Sequence, residues 1–239
     1  MNRRAPKGGY NFPNKRQYRR DVWNGFRTFI SSEIKNTHAL LMPSEEGTEI
    51  GVALKSGVWR KNLHAVDKDP SFMQSYREKY GPSVHTYGMD VVKACEEIAK
   101  QGYKLGVANL DLCSPYGTKS IRVLSEVATL PCWEDKAVIA VTALRGRERI
   151  KHTQIYQHSL KYLIRKKGIE TIRARLVRGQ RYYKKLDAAR VYHIINTFCG
   201  NTWTSSSGGD TLSALKRCGI YINPKNVTLL WMIFAVEKR

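Results

Sequence analysis

The 239-residue chain predicts an α/β fold: a mainly parallel sheet flanked by helices, with a C-terminal antiparallel hairpin and a basic helical insertion. Three observations predict it. Short apolar runs alternate with helical patterns of about 10–15 residues, as parallel strands and their crossovers do. One run, Val107-Ala108-Asn109-Leu110-Asp111-Leu112, breaks into Cys113-Ser114-Pro115-Tyr116-Gly117. A break of that kind after a buried strand is where open α/β sheets place ligands. The last apolar run, 227–236, follows Tyr221-Ile222 across Asn223-Pro224-Lys225-Asn226, a composition that folds a chain back on itself.

Residues 1–20 read as a basic flexible arm, and 21–239 as one domain in which 145–210 is the basic helical insertion. Val22, Trp23, Phe26, Phe29, Ile30 and Ile34 repeat at helical spacing, predicting a helix over 21–36. His38–Met42 is the first strand and 43–49 its loop, followed by a short helix through Ile50, Ala53 and Leu54. Leu63–Val66 is the second strand, ending at Asp67; Phe72, Met73, Tyr76 and Tyr80 mark the next helix. Val84–Tyr87 is the third strand, ending near Asp90, and 91–101 is strongly helical. The central strand spans 105–112, a helix 119–130, and the fifth strand 137–144. Beyond it, helices are expected around Tyr156–Ile164 and Leu186–Phe198, a polar loop over 200–209, and a short helix from Thr211 to Cys218.

Charge narrows the function. Lys and Arg number 41 against 20 Asp and Glu, a net +21, which favours a polyanionic partner, most often nucleic acid. The basic residues expected at that surface are Arg16, Arg19 and Arg20 in the arm, with Tyr10, Phe12 and Tyr18 interleaved, and Arg145, Arg147, Arg149, Arg165, Lys166 and Lys167. A solvated, merely solubilising face would carry the same charges. No apolar stretch reaches the roughly 18 residues of a membrane span, and no secretory signal is seen. The five cysteines, Cys95, Cys113, Cys132, Cys199 and Cys218, are widely spaced without a C-x-x-C pair. That spacing fits reduced thiols in a cytoplasmic protein and gives no metal site.

Asp67 falls about 25 residues after the first strand, where nucleotide-binding α/β units place the acid that holds a ribose. An acid after a strand is also the usual helix cap.

Taken together, the span 38–144, with 219–237 as a closing hairpin, resembles the class I methyltransferases that use S-adenosylmethionine, and uncharacterised phage-type proteins of that kind. The resemblance implies a Rossmann-like sheet with the cofactor held by Pro43, Glu45, Glu46 and Gly47 in the first loop, by Asp67 at the ribose and by Asp90 near the adenine. It puts Asp111, Ser114, Pro115 and Tyr116 at the methyl group. Enzymes of the family that methylate base amino groups carry D/N/S-P-P-Y/F/W after strand four; Ser114-Pro115-Tyr116 matches with one proline missing, and Asp111 is the alternative polar residue. The first loop has one glycine where the family has two or three. The implied activity is methylation of a base amino nitrogen, of the N6-adenine type, in DNA or RNA. A host cytoplasm is the setting if the protein is of phage origin. The alternative is a non-catalytic nucleic-acid-binding protein on a degenerate methyltransferase fold.

Overall fold

In the computed structural model, residues 13–115, 117–144, 150–166, 168–176, 185–200, 202–207, 211–222 and 227–239 are described. Eight strands are found among them: β1 (His38–Leu41), β2 (Leu63–Asp67), β3 (His85–Gly88), β4 (Leu105–Pro115), β5 (Trp133–Leu144), β6 (Trp203–Ser205), β7 (Leu215–Ile222) and β8 (Thr228–Lys238). The helices are α1 (Pro13–Ile30), α2 (Thr48–Lys55), α3 (Ser71–Tyr80), α4 (Val91–Lys100), α5 (Thr118–Thr129), α6 (Ile150–Arg165), α7 (Gly168–Ala174) and α8 (Lys185–Cys199).

The strands form one sheet in the order β3-β2-β1-β4-β5-β8-β6, with β7 also paired to β8. Strands β1 to β5 are mutually parallel. Strand β8 enters antiparallel between β5 and the pair β6 and β7, with Ala140 opposite Ile233. The hairpin expected from the last two runs is therefore present. Strand β8 is apolar on both faces because both are covered. Trp231 and Ile233 face the core beneath α1, α2 and α3. Met232, Phe234 and Val236 face the core beneath α4, α5 and α8. The stretch read as an insertion thus supplies part of a core layer, through Tyr156, Leu163, Ile172, Ile194 and Phe198.

Helix α1 lies close on the sheet. A Cβ on Gly25 would come within 2.5 Å of Ile233 Cδ1, so a larger residue there would require the Ile233 side chain to shift. Trp23 and Phe26 flank it in an edge-to-face pair with ring centroids 5.1 Å apart. Burying a side chain such as Phe26 contributes about 1.5–3 kcal/mol.

Three expectations change. The first helix starts at Pro13 and ends at Ile30, followed by a 3₁₀ turn over Ser31–Lys35. Residues 13–20, assigned to the basic arm, are therefore helical: Lys15, Tyr18 and Arg19 are buried at i, i+3 and i+4, a periodicity masked by the charge of two of the three. Thr211–Ala214 is a single 3₁₀ turn, and Leu215–Cys218 belongs to β7, because pairing with β8 overrides a weak helical pattern. The polar loop over 200–209 contains β6, whose Trp203 is buried and donates to the carbonyl of Ala128 at 2.8 Å.

Among the described residues, Cys95, Cys132, Cys199 and Cys218 are buried and in no disulfide, and no group of three or more His, Cys, Asp or Glu could hold a metal ion. No described helix is long and apolar enough to cross a membrane.

Candidate functional site

The strand order reverses between β1 and β4, the topological switch point at which open α/β sheets bind ligands beyond the strands' C-terminal ends. The loop after β1, the end of β2 and the end of β4 meet there.

The loop 42–47 is tightly held. Tyr76 of α3 donates to the carbonyls of Ser44 (2.9 Å) and Pro43 (3.4 Å), and Lys79 donates to the carbonyl of Glu46 (2.8 Å). Gly47 closes the turn onto Ser44 and takes a left-handed conformation, φ 61°. A Cβ there would stand 2.9 Å from the Tyr80 ring and 3.0 Å from that of Tyr76. One glycine serves a loop packed against α3 in this way; the additional family glycines would be needed only where backbone must approach a ligand more closely. Ser44 Oγ is buried with no hydrogen-bond partner among the described residues. Glu45 is exposed, and Glu46 accepts from the Thr48 hydroxyl at 3.3 Å.

Asp67 ends β2, half-buried. Its Oδ1 accepts the backbone N–H of Asp69 at 3.0 Å, and it is Asp69 that accepts from Ser71 at the start of α3. Burial pushes the Asp67 carboxyl above the usual carboxylate range. Its charge in turn helps burial hold the Tyr76 phenol neutral, so the loop clamp and the strand-two acid form one cluster. Asp90 is the N-cap of α4, accepting from the Lys93 N–H at 3.2 Å.

The end of β4 lies under α1. Asn109 and Asp111 alternate onto the same face, and each is met by α1. Asp111 Oδ2 accepts from Lys15 Nζ at 3.1 Å, with both side chains under 10% exposed. Tyr18 donates to Asn109 Oδ1 (2.8 Å) and lies 2.7 Å from the Thr142 hydroxyl, which therefore donates to it. Asn109 Nδ2 donates to Glu49 Oε1 at 2.9 Å. Glu49, buried in the first turn of α2, also accepts from Trp23 Nε1 (2.7 Å) and Arg19 Nε (3.0 Å). Burial, then the charges of Asp111 and Glu49, push the Tyr18 phenol well up, so it stays a donor. This network ties α1, α2, β4 and β5 together under the switch point.

The grouping of Lys15, Tyr18, Arg19, Trp23, Glu49, Asn109 and Thr142 was not anticipated; Arg19 and Tyr18 were expected at a nucleic-acid surface instead. Two sequence signals could have found them: polar residues at alternate positions of an apolar strand, and Lys15-Arg19-Trp23 at helical spacing. Beyond Asp111, the ladder with β5 slips before resuming at Pro115 opposite Leu144. Such irregularities recur next to active sites. Ser114 and Pro115 lie within this stretch of β4. Tyr116 is outside the described residues.

Of the basic residues, Arg16 and Arg20 are exposed on α1, while Arg19 is buried on Glu49 and so is taken out of any outer surface. Arg165 and Lys166 are exposed at the far end of α6, roughly 24 Å along the helix from Ile150. Arg145, Arg147, Arg149 and Lys167 lie outside the described residues.

Comparison with known proteins bears on the fold. No family model matches the chain, and no curated protein matches it. Solved structures do. A SAM-dependent methyltransferase from Agrobacterium tumefaciens superposes with a TM-score of 0.51 at 11% identity, over 94% of this chain and 63% of that one. The fold is that of the class I methyltransferases. A candidate hemolysin from Lactococcus lactis gives 0.52 at 12% identity, over 89% and 85% of the two chains. SMU.776, a candidate methyltransferase solved with SAH, gives 0.50 at 10% identity, over 94% and 50%. At such identities the likeness concerns the path of the backbone, and the chemistry rests on this chain's own residues.

Proposed function

We propose that this class I methyltransferase fold binds S-adenosylmethionine and transfers its methyl group to nucleic acid, at a base amino nitrogen of the N6-adenine type. The observation that carries the reading is the cluster at the switch point: a pinned loop with an orphaned Ser44 hydroxyl, beside a half-buried Asp67 carboxylate. The residues fit the cofactor. Asp67 Oδ1 accepts a backbone N–H, and a carboxylate has lone pairs to spare on its two oxygens, so Asp67 can also accept from a ribose hydroxyl. Ser44 would meet the polar methionine end, and the clamp of Tyr76 and Lys79 holds the loop in place for it. Asp90, engaged as a helix cap, would border the adenine through its second oxygen.

The bound cofactor supplies an electrophilic sulfonium methyl group, so the protein's work is positioning and exclusion of water. The backbone from Asp111 to Pro115 would hold the amino group, the Ser114 hydroxyl would accept a hydrogen bond from one of its N–H groups, the proton released on methylation would pass to solvent, and Tyr116 would stack on the base. Lys15 pairs with Asp111 beneath α1, which fixes the position of that side chain at the end of β4. Arg16, Arg20 and the bases between 145 and 167 would meet phosphates. The phage-type source, a host cytoplasm and the choice of DNA or RNA belong to the same proposal.

A non-catalytic binding protein is the second reading. It is favoured by one observation, the commitment of Asp111 to Lys15 instead of to the crevice. Calorimetric titration with S-adenosylmethionine, followed by incubation of radiolabelled cofactor with DNA and with RNA and analysis of the nucleosides, tests both. Saturable binding with label in N6-methyladenine supports the proposal. Nucleic-acid binding without cofactor binding supports the second reading.

A further inference from the structure

The opposite end of the sheet, at the starts of β2 and β3, carries features that the switch-point site does not use. Trp59, just before β2, is 47% exposed, whereas Trp23, Trp133, Trp203 and Trp231, the other four of the chain's five tryptophans, are fully buried. An exposed indole is unusual enough to require a reason. Lys61 lies over its ring, 5.0 Å from the centroid. The Lys61 carbonyl in turn lies 3.0 Å from His85 Nε2, at the start of β3.

His85 is in the wall of a cavity of about 380 Å³, together with Arg77, Pro82 and Thr86. That volume is at the small end of the range for small-molecule pockets, about 300–1,000 Å³. Thr86 Oγ1 is buried there with no hydrogen-bond partner among the described residues, a cost that a ligand would relieve. Arg77 is exposed, and its guanidinium has neither an ion pair nor a hydrogen bond among the described residues. Arg60 lies outside the lining, its Cδ 3.6 Å from where a Cβ would stand on Gly81, the neighbour in sequence of the lining residue Pro82. Strand β3 is the sheet edge, so one row of its backbone groups has no strand partner.

We propose that this cavity, together with the adjoining exposed surface that carries Arg60 and Trp59, is a nucleotide-binding site, separate from the methyl-transfer crevice, with the phosphate held by Arg60 and Arg77 and the base stacked on Trp59. Guanidinium forks match phosphate oxygens, and an indole face accepts any base. A carboxylate-bearing peptide would use the arginines but leave the indole without a role, which favours a nucleotide. Asp67 ends the strand that follows Trp59, roughly 13 Å along β2 from the strand's first residue, Leu63, so the two sites do not overlap. The nucleotide is either free or a unit of a nucleic-acid chain; the recognising chemistry is the same.

The test is Trp59 fluorescence and calorimetry of the full chain with uridine monophosphate, a short oligouridylate, inorganic phosphate and polyglutamate as probes. Uridine monophosphate or the oligonucleotide should shift the emission. Affinity should fall at least tenfold in Arg60→Ala/Arg77→Ala, and the signal should vanish in Trp59→Ala. All three side chains are exposed, so these variants should fold. Tighter binding of the oligonucleotide identifies a chain as the source, and tighter binding of the monophosphate identifies a free nucleotide. Nucleotide binding equal in wild type and double variant overturns the proposal. So does inorganic phosphate binding as tightly as nucleotide, or polyglutamate binding with the same loss in the double variant.

Discussion

Lowering the pH from 7 to 5 should destabilise this protein by a calculable amount through His64. Three histidines lie at the starts of three adjacent strands: His38 and His85 are the first residues of β1 and β3, and His64 is the second of β2. His64 is fully buried, stacked on His85 with ring centroids 4.7 Å apart and on Tyr87 at 5.9 Å. Hydrogen bonding fixes its tautomer. Gln101 Nε2 donates to Glu97, so its Oε1 is the acceptor for the Tyr87 hydroxyl at 3.1 Å. The Tyr87 oxygen then accepts from His64 Nδ1–H at 3.0 Å, which leaves His64 Nε2 as acceptor for His38 Nδ1–H at 2.8 Å. A proton on His64 Nε2 would displace the His38 bond. Burial, then the charges of His85 and His38, lower the His64 pKa to about 2.

A base whose folded pKa is depressed binds fewer protons in the folded state, so stability falls as pH drops below the unfolded value. With an unfolded pKa of about 6.5, the proton uptake of the unfolded chain costs ~0.2 kcal/mol at pH 7 and ~2 kcal/mol at pH 5. His38 is shifted in the same direction and adds to the loss. Urea titrations of wild type and His64→Asn at both pH values isolate the contribution of His64. Wild type should lose about 2 kcal/mol more than the variant on acidification. Should His64→Asn not fold, the imidazole resonances of wild-type His64 still decide, since they should not titrate between pH 7 and 4. Equal pH dependence of the two proteins, or a His64 midpoint near 6.5, would refute the reasoning.

The other expectations concern the crevice and its supports. Asp67→Ala should weaken S-adenosylmethionine binding by about 1–3 kcal/mol, the loss of hydrogen bonds to a charged acceptor; equal calorimetric affinities would make Asp67 a structural acid only. Tyr116→Ala should cut methyl transfer far more than cofactor affinity while Tyr116→Phe keeps most of the activity, because base stacking is worth about 1–3 kcal/mol; a Phe variant as inactive as Ala would assign the role to the hydroxyl. Glu49→Ala should cost about 3–5 kcal/mol in chemical denaturation, because it breaks the buried ion pair with Arg19 and removes the acceptor of Trp23 and Asn109; a cost below about 1 kcal/mol would mean that this network contributes little to stability. Neutralising Arg165, Lys166 and Lys167 together should flatten the salt dependence of nucleic-acid binding, by about 0.7–0.9 in log–log slope per lost phosphate contact; an unchanged slope would move the surface to Arg16 and Arg20.

Much of the candidate site could be read from local pattern. Asp67 and Asp111 both close apolar runs, and the structure brings the end of β2 and the end of β4 to one crevice. What Asp111 touches could not be read, because its partner Lys15 lies 96 residues away in a stretch that looks like a charged tail. The same holds for Arg19 and Glu49, 30 residues apart. Charge in a sequence reads as exposure, and only an opposite charge arriving from a distant element makes burial affordable.

The sequence by itself determined the order of alternating strands and helices, the parallel sheet and the closing hairpin, since these follow from hydrophobic period and turn composition acting over a few residues. It also determined the net charge of +21. Tertiary structure alone decided that 211–218 is mostly strand, that β6 exists, that α1 begins at Pro13, and that a network of Glu49, Arg19, Tyr18 and Asn109 lies under the switch point. The physical reason is the same in each case. A strand is confirmed only by its neighbour's hydrogen bonds, and a buried polar group only by the partner that satisfies it; both come from parts of the chain far away in sequence.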